Sequence, residues 1–137
     1  MLGTNEIIER LKGYFSGFGD DEFGAVYGSK SSPTSDLPES YLEILGNGPI
    51  STRVSQFGVR EYNILLILNV RLNSDGTVNT VREDYLLSLI QDPLLRKGGI
   101  NLDQYHYFLG KNSMVYSGRD LVSGYSTKTI NINVKIY

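Results

Sequence analysis

Asp20, Asp21 and Glu22 are three consecutive carboxylates in a glycine-rich stretch, and metal or acid–base chemistry is the first use to test for them. A magnesium or calcium ion needs several converging oxygens, whereas neighbouring side chains along a loop seldom aim at one point. A solvated acidic turn explains the cluster without any ligand. Gly13, Gly17, Gly19 and Gly24 surround it but fit neither the phosphate-loop spacing nor the dinucleotide fingerprint. They also follow an expected helix, where those motifs follow a strand. His106, the one histidine, lies between Tyr105 and Tyr107 on an expected strand. A general base needs a nucleophile and an orienting partner nearby, which a sequence by itself does not show, and a partly buried structural histidine is the preferred reading. The chain has no cysteine, which excludes disulfides, thiolate catalysis, thiolate zinc sites and cysteine-held iron–sulfur clusters. No catalytic residue, metal ligand or cofactor site is assigned, and the chain is expected not to be an enzyme.

With 137 residues the chain is read as a single domain, 1–137, large enough to bury a core without staples. Charged residues make up 20% and hydrophobic ones 40%, the balance of a folded globular protein. A net charge of −2 argues against a protein whose task is to hold nucleic acid, for which a basic excess is the usual footprint. No apolar run approaches the roughly 18 residues that span a bilayer, and Met1 to Arg10 lacks the pattern of a signal peptide. The charge is unevenly distributed. Up to residue 45 only Arg10, Lys12 and Lys30 oppose Glu6, Glu9, Asp20, Asp21, Glu22, Asp36, Glu39 and Glu43. From Leu94 onward Arg96, Lys97, Lys111, Arg119, Lys128 and Lys135 face only Asp103 and Asp120. Chance explains such a pattern, and so does a self-complementary surface suited to head-to-tail association.

The elements that position these residues follow from periodicity. Thr4 or Asn5 caps a first helix, whose apolar face is Ile7, Ile8, Leu11, Tyr14 and Phe15. Gly17 and Gly19 end it. Phe23 to Tyr27 is a possible strand, Gly28 to Pro38 an exposed loop, and Tyr41 to Leu45 a strand closed by Gly46-Asn47-Gly48-Pro49. A long hairpin is expected from Ile50, with Thr52, Val54 and Gln56 on its first arm and a bend near Gly58. Its second arm, reaching Leu72, has Ile64, Leu66, Leu68, Val70 and Leu72 on one face and Leu65 and Ile67 in the middle of the other. Such a strand is expected to be covered on both faces. A capping box, Thr80-x-x-Glu83, opens a second helix. Val81, Tyr85 and Leu89, with Leu86 and Ile90 beside them, form its expected buried stripe, and Asp92-Pro93 stops it. Short strands within Leu102–Leu109 and Met114–Tyr116 precede a last strand in which Ile130, Ile132, Val134 and Ile136 alternate with polar residues. The order predicts an α+β fold: a mainly antiparallel sheet with a long hairpin, flanked by two helices and ending in a C-terminal strand. Of the ten tyrosines, most suit strand packing, while Tyr125 and Tyr137 suit an interface.

Leu37-Pro38-Glu39-Ser40-Tyr41-Leu42-Glu43-Ile44, the hairpin through Leu72, the helix opening at Thr80 and the closing strand resemble the tail-terminator, or tail-completion, proteins of long-tailed bacteriophages. Gly118-Arg119-Asp120 through Gly124-Tyr125-Ser126 is similar to the same family. The resemblance implies a structural virion protein made in the bacterial host cytoplasm and located at the head–tail junction. There it forms a homo-oligomeric, usually hexameric ring that caps the tail tube, ends its elongation and offers a docking face to the head. Its partners are then the tail tube protein and the head–tail connector, with no membrane, and DNA passes through without being specifically bound. A second, shorter resemblance joins Leu37-Pro38-Glu39-Ser40-Tyr41, Leu45 and Gly46-Asn47-Gly48 to the SUKH immunity proteins, which bind and neutralise toxins; there the segment after the proline is a helix. The state of Tyr41 to Leu45 separates the two, as a strand for the first family and a helix for the second.

Under the preferred terminator reading, loops Ser29–Asp36 and Ser51–Arg60 project and make contacts between subunits or with the tail tube. The expected interface residues are Lys30, Ser32, Thr34, Arg53, Gln56, Arg60, Tyr125 and Tyr137. Asp20, Asp21 and Glu22 are expected to line the lumen, where an acidic wall would not retain phosphate. The competing expectation sets them against basic groups of the neighbouring subunit.

Overall fold

The computed structural model describes residues 4–19, 22–28, 37–46, 53–54, 60–96, 99–102, 105–109, 115–120 and 124–136. Helix α1 (Thr4–Ser16) is followed by strands β1 (Ala25–Tyr27), β2 (Ser40–Gly46), β3 (Arg53–Val54) and β4 (Arg60–Arg71). After helix α2 (Thr80–Arg96) come β5 (Ile100–Leu102), β6 (Tyr105–Phe108), β7 (Val115–Asp120) and β8 (Tyr125–Ile136). The strands form one eight-stranded sheet in the order β1-β2-β4-β8-β6-β5, with β3 beside β4 and β7 beside β8. Every pairing is antiparallel except that of β1 with β2. The fold is α+β, with two helices on a mostly antiparallel sheet that ends in a C-terminal strand.

The two longest strands, β4 and β8, pair along their whole length, from Arg60↔Ile136 to Arg71↔Tyr125. Because side chains alternate between faces, this register aligns Ile64, Leu66, Leu68 and Val70 with Ile132, Ile130, Lys128 and Ser126. Leu42 and Ile44 of β2 and Tyr105 and Tyr107 of β6 lie on the same face. Both helices pack there. Ile7, Ile8, Leu11 and Phe15 of α1 and Leu86, Ile90 and Leu94 of α2 are buried against those strand residues in one core. Tyr107 fastens α1 to the sheet by donating its hydroxyl to the Ile7 carbonyl at 2.6 Å. Burial there, reinforced by the neighbouring Tyr105, pushes the Tyr107 phenol well above its ordinary range. The opposite face carries Asn63, Leu65, Ile67, Thr127, Thr129, Asn131 and Asn133, all half-buried. The expected cover over the middle of that face is thus partial, with Leu65 and Ile67 half-buried, while Asn69, Tyr41 and Tyr125 toward one end of it are buried.

The hairpin stands where it is described, while three expectations about α2 are corrected. The described residues of the expected hairpin arm, Arg53 and Val54, pair antiparallel with β4, which also pairs antiparallel with β2 in register from Ser40↔Val70 to Gly46↔Ile64. Gln56 and Gly58 lie outside the described residues. Helix α2 continues past Pro93 to Arg96, because Leu94 is drawn into the core one residue beyond the proline. A proline lacks an N–H and crowds the carbonyl four residues back, but near a helix's end the buried side chain that follows outweighs this cost. The other two corrections concern the start and the rotation of α2, which build the site described next.

Candidate protein interface

Asn79, not Thr80, caps α2: its Oδ1 accepts from the Arg82 backbone N–H at 3.2 Å. Glu83 is thereby released from the expected capping box and turns into the protein. It is 5% exposed. Ser126 Oγ donates to its Oε2 at 2.7 Å and Lys128 Nζ lies 3.4 Å from its Oε1. Ser126 also reaches the Val70 carbonyl at 3.3 Å. A buried carboxylate is tolerated only when paired and hydrogen-bonded, and β8 supplies both partners from its inward row. Arg82 ties the same turn to β2 and to the loop after α1, donating to Ser40 Oγ at 3.3 Å and to the Glu22 carbonyl at 3.1 Å.

These contacts set the rotation of α2. With Glu83, Leu86, Ile90 and Leu94 inward, Val81 and Tyr85 face outward, and they are 81% and 46% exposed. The expected stripe is thus corrected at Val81 and Tyr85, while Leu86 and Ile90 are buried and Leu89 packs against the core as expected. The sheet under the first turn offers Ser40, Ser126 and Lys128, which match a carboxylate rather than a valine. Val81 and Tyr85, four residues apart, share one side of the helix. Tyr85 donates its hydroxyl to Glu22 Oε1 at 3.2 Å, and the Arg82 guanidinium lies 6.0 Å from its ring centroid. Phe18 stands four residues before Glu22. Its ring meets Tyr14 edge-on at 5.5 Å and Phe23 at 6.0 Å. Tyr14, Gly17 and Phe18 line an open hollow of about 280 Å³. Tyr14 and Phe18 pack against the core, so the exposed apolar groups here are Val81 and Tyr85 on the first turns of α2, with the Glu22 carboxylate bonded to the Tyr85 hydroxyl. Large exposed apolar groups gathered on one surface mark an interaction site more often than singly scattered ones do.

A second cluster holds the chain leading out of the Ser29–Asp36 stretch. Tyr125 donates its hydroxyl to the Pro38 carbonyl at 2.6 Å, and Arg71 Nη2 donates to the Leu37 carbonyl at 2.9 Å. The Tyr125 ring packs on Tyr41 at 5.2 Å, and Tyr41 packs on Tyr27 at 5.8 Å. Tyr125 was expected at an interface; it is instead 5% exposed and occupied with its own chain. Gly24 permits the close approach of this segment, since a Cβ there would stand 2.5 Å from Pro38 Cβ.

Of the other expected site residues, Glu22 accepts from the Tyr85 hydroxyl, while Asp20 and Asp21 lie outside the described residues. So do Lys30, Ser32, Thr34, Gln56 and Tyr137. Arg53 and Arg60 belong to the β3–β4 pairing at one end of the sheet. His106 has an orienting partner, donating from Nδ1 to Asn101 Oδ1 at 2.6 Å. Its ring stacks on Phe108 at 5.5 Å and lies against Gly99, where a Cβ would be 2.9 Å from the ring. Among the described residues no cluster of histidine, aspartate or glutamate is grouped to hold a metal ion, and no helix is long and apolar enough to cross a membrane. Sequence reasoning missed Arg71, Arg82 and Ser126. Their partners lie 34 or more residues away in the chain, so local pattern carries no signal for them. No protein-family model matches the chain, and no curated protein is significantly similar to it.

Proposed function

We propose that the chain is a structural assembly subunit of the tail-terminator type, which closes into a ring on the end of a phage tail tube and presents the head-docking face. The observation that carries the reading is the seven-residue strand Ser40–Gly46, in unbroken antiparallel register with β4. It is the state the terminator resemblance requires, and it leaves no helix where an immunity protein of the second family would have one. The helix–sheet–helix–sheet order with a closing C-terminal strand supports the same reading. The exposed Val81 and Tyr85 on α2 suit a protein that works by association. DNA would pass through the ring without being held, as the net charge of −2 favours. Electron microscopy of phage assembly with and without the chain tests the function. Tails of uniform length joined to heads are expected with it, and over-long, unjoined tails without it. Normal joined tails in its absence would contradict the assignment.

A further inference from the structure

The hollow at the end of α1, about 280 Å³ in volume, is lined among the described residues by Tyr14, Gly17 and Phe18. The Tyr14 and Phe18 rings stand at 89° to each other, with centroids 5.5 Å apart. Both pack against the core and stay half-buried. Phe15 stacks on Phe18 at 6.1 Å and 26°, which leaves the Phe18 ring as a wall of the hollow as well. Burial pushes the Tyr14 phenol above its ordinary range, so this corner is partly shielded from water and a charge in it is less screened than on open surface.

The electrostatics of the corner favour a cation. It lies at the C-terminus of a 13-residue helix whose last turn holds no basic residue, so the negative end of the macrodipole is not offset there. The chain leaves the helix through three tight bonds, from the N–H of Gly17, Phe18 and Gly19 to the carbonyls of Tyr14, Phe15 and Ser16, at 3.2–3.3 Å. A carbonyl oxygen has two lone pairs, and the absence of a side chain at Gly17 keeps the approach to that of Tyr14 open: a Cβ at position 17 would stand 3.2 Å from it. Beside Phe18, Glu22 Oε2 lies 3.7 Å from the place of a Cβ on Gly19, while its other oxygen accepts from the Tyr85 hydroxyl. Arg82, the cation of α2 that reaches this loop, is held by Ser40 Oγ and the Glu22 carbonyl.

We propose that the hollow formed by Tyr14, Gly17 and Phe18 binds the guanidinium of an arginine side chain presented by a partner polypeptide. Its volume sets the size. Sites that enclose whole small-molecule ligands run from about 300 to 1,000 Å³, so this one suits a single side chain. Its walls set the type. A corner between two perpendicular rings offers a cation a π face. A guanidinium is planar, stacks on aromatic rings and carries five N–H donors for carbonyl and carboxylate oxygens, whereas an ammonium is compact and strongly hydrated. An aliphatic side chain would fill the corner but leave the helix terminus and the Glu22 carboxylate without a counter-charge. The inference stands apart from the ring reading, since it concerns what the hollow takes and not which protein offers it.

The test is titration of the chain with N-acetyl-arginine methylamide, followed by the NMR signals of the Tyr14 and Phe18 ring protons. The matching amides of citrulline (the uncharged isostere of arginine), lysine and leucine are the comparisons. Arginine should shift both sets of ring signals with a roughly millimolar dissociation constant, about tenfold tighter than citrulline and severalfold tighter than lysine or leucine. Gly17→Ala places a methyl group at the wall of the hollow and should weaken arginine binding at least threefold. Glu22→Gln should weaken arginine and leave citrulline unchanged. Circular dichroism and melting temperature check that both variants keep the fold; if Gly17→Ala does not, Glu22→Gln and the four amides still decide. Citrulline or leucine binding as tightly as arginine overturns the cation and leaves an apolar hollow. Lysine binding more tightly than arginine overturns the guanidinium. Ring signals that do not move at saturating arginine overturn the site.

Discussion

Replacing Glu83 with glutamine keeps the side chain's shape but removes the charge that faces Lys128 Nζ at 3.4 Å. Ser126 can still donate to the amide oxygen, so the change isolates the ion pair from the hydrogen bond. Leaving one member of a fully buried pair uncompensated costs about 3–5 kcal/mol. The Lys128 side chain keeps 21% of its surface in solvent against 6% for Glu83, so its ammonium can turn partly to water. We expect a loss of about 1–3 kcal/mol for Glu83→Gln, which lowers the melting temperature by roughly 3–12 °C in a domain of this size. Lys128→Met leaves the better-buried carboxylate unpaired and should cost at least as much. The double variant should recover about 1 kcal/mol or more relative to the sum of the two. Urea unfolding of the four proteins measures the coupling directly. Additivity within about 0.3 kcal/mol would refute the claim that this pair holds the first turn of α2 to β8.

Tyr107→Phe removes the hydrogen bond to Ile7 and should cost about 1 kcal/mol at neutral pH. The raised Tyr107 phenol in the fold contributes stability that is present below about pH 10 and lost above it as the unfolded chain ionises. The variant should therefore show a shallower alkaline decline in a pH series of melting temperatures, and an unchanged slope would contradict this. Gly24→Ala drives a methyl group into Pro38 and should destabilise by about 1–3 kcal/mol, readable as a shift in the urea midpoint. Deleting Ser31 to Ser35 should leave melting nearly unchanged while head–tail joining fails; normal particles would count against a contact role for that stretch. Changing Asp20, Asp21 and Glu22 together to lysine should stop rings from closing. Rings that form normally but release DNA poorly would return these carboxylates to the lumen.

Strands were legible where one face is buried along their whole length. In β8, Ile130, Ile132 and Val134 alternate with polar residues, and a slip of one residue would expose them all, so periodicity identified both strand and face. The same holds for Ile64 to Val70 in β4. Helix α2 was legible as a helix but not in its rotation. Val81-Tyr85-Leu89 and Glu83-Leu86-Ile90 both satisfy helical spacing, and the choice between them depends on Ser126 and Lys128, which lie 43 and 45 positions after Glu83. Hydrophobicity chose Leu86, Leu89 and Ile90 correctly and wrongly added Val81 and Tyr85. That mismatch is informative, because departures from local pattern tend to mark functional or strained positions, and here it leaves Val81 and Tyr85 exposed. Tyr125 was misread for the converse reason, since an amphipathic ring suits an interface and a clamp equally well until the Pro38 carbonyl is found 87 positions away.

Native mass spectrometry of the purified chain, across a range of concentrations and at low and high salt, tests self-association into a closed ring most directly. The account predicts one discrete oligomer of fixed subunit number that gives way to monomer as salt rises, because exposed charge pairs are screened beyond roughly 8–10 Å at ordinary ionic strength. An unbounded ladder of open oligomers, or a monomer at every concentration and salt, would contradict it.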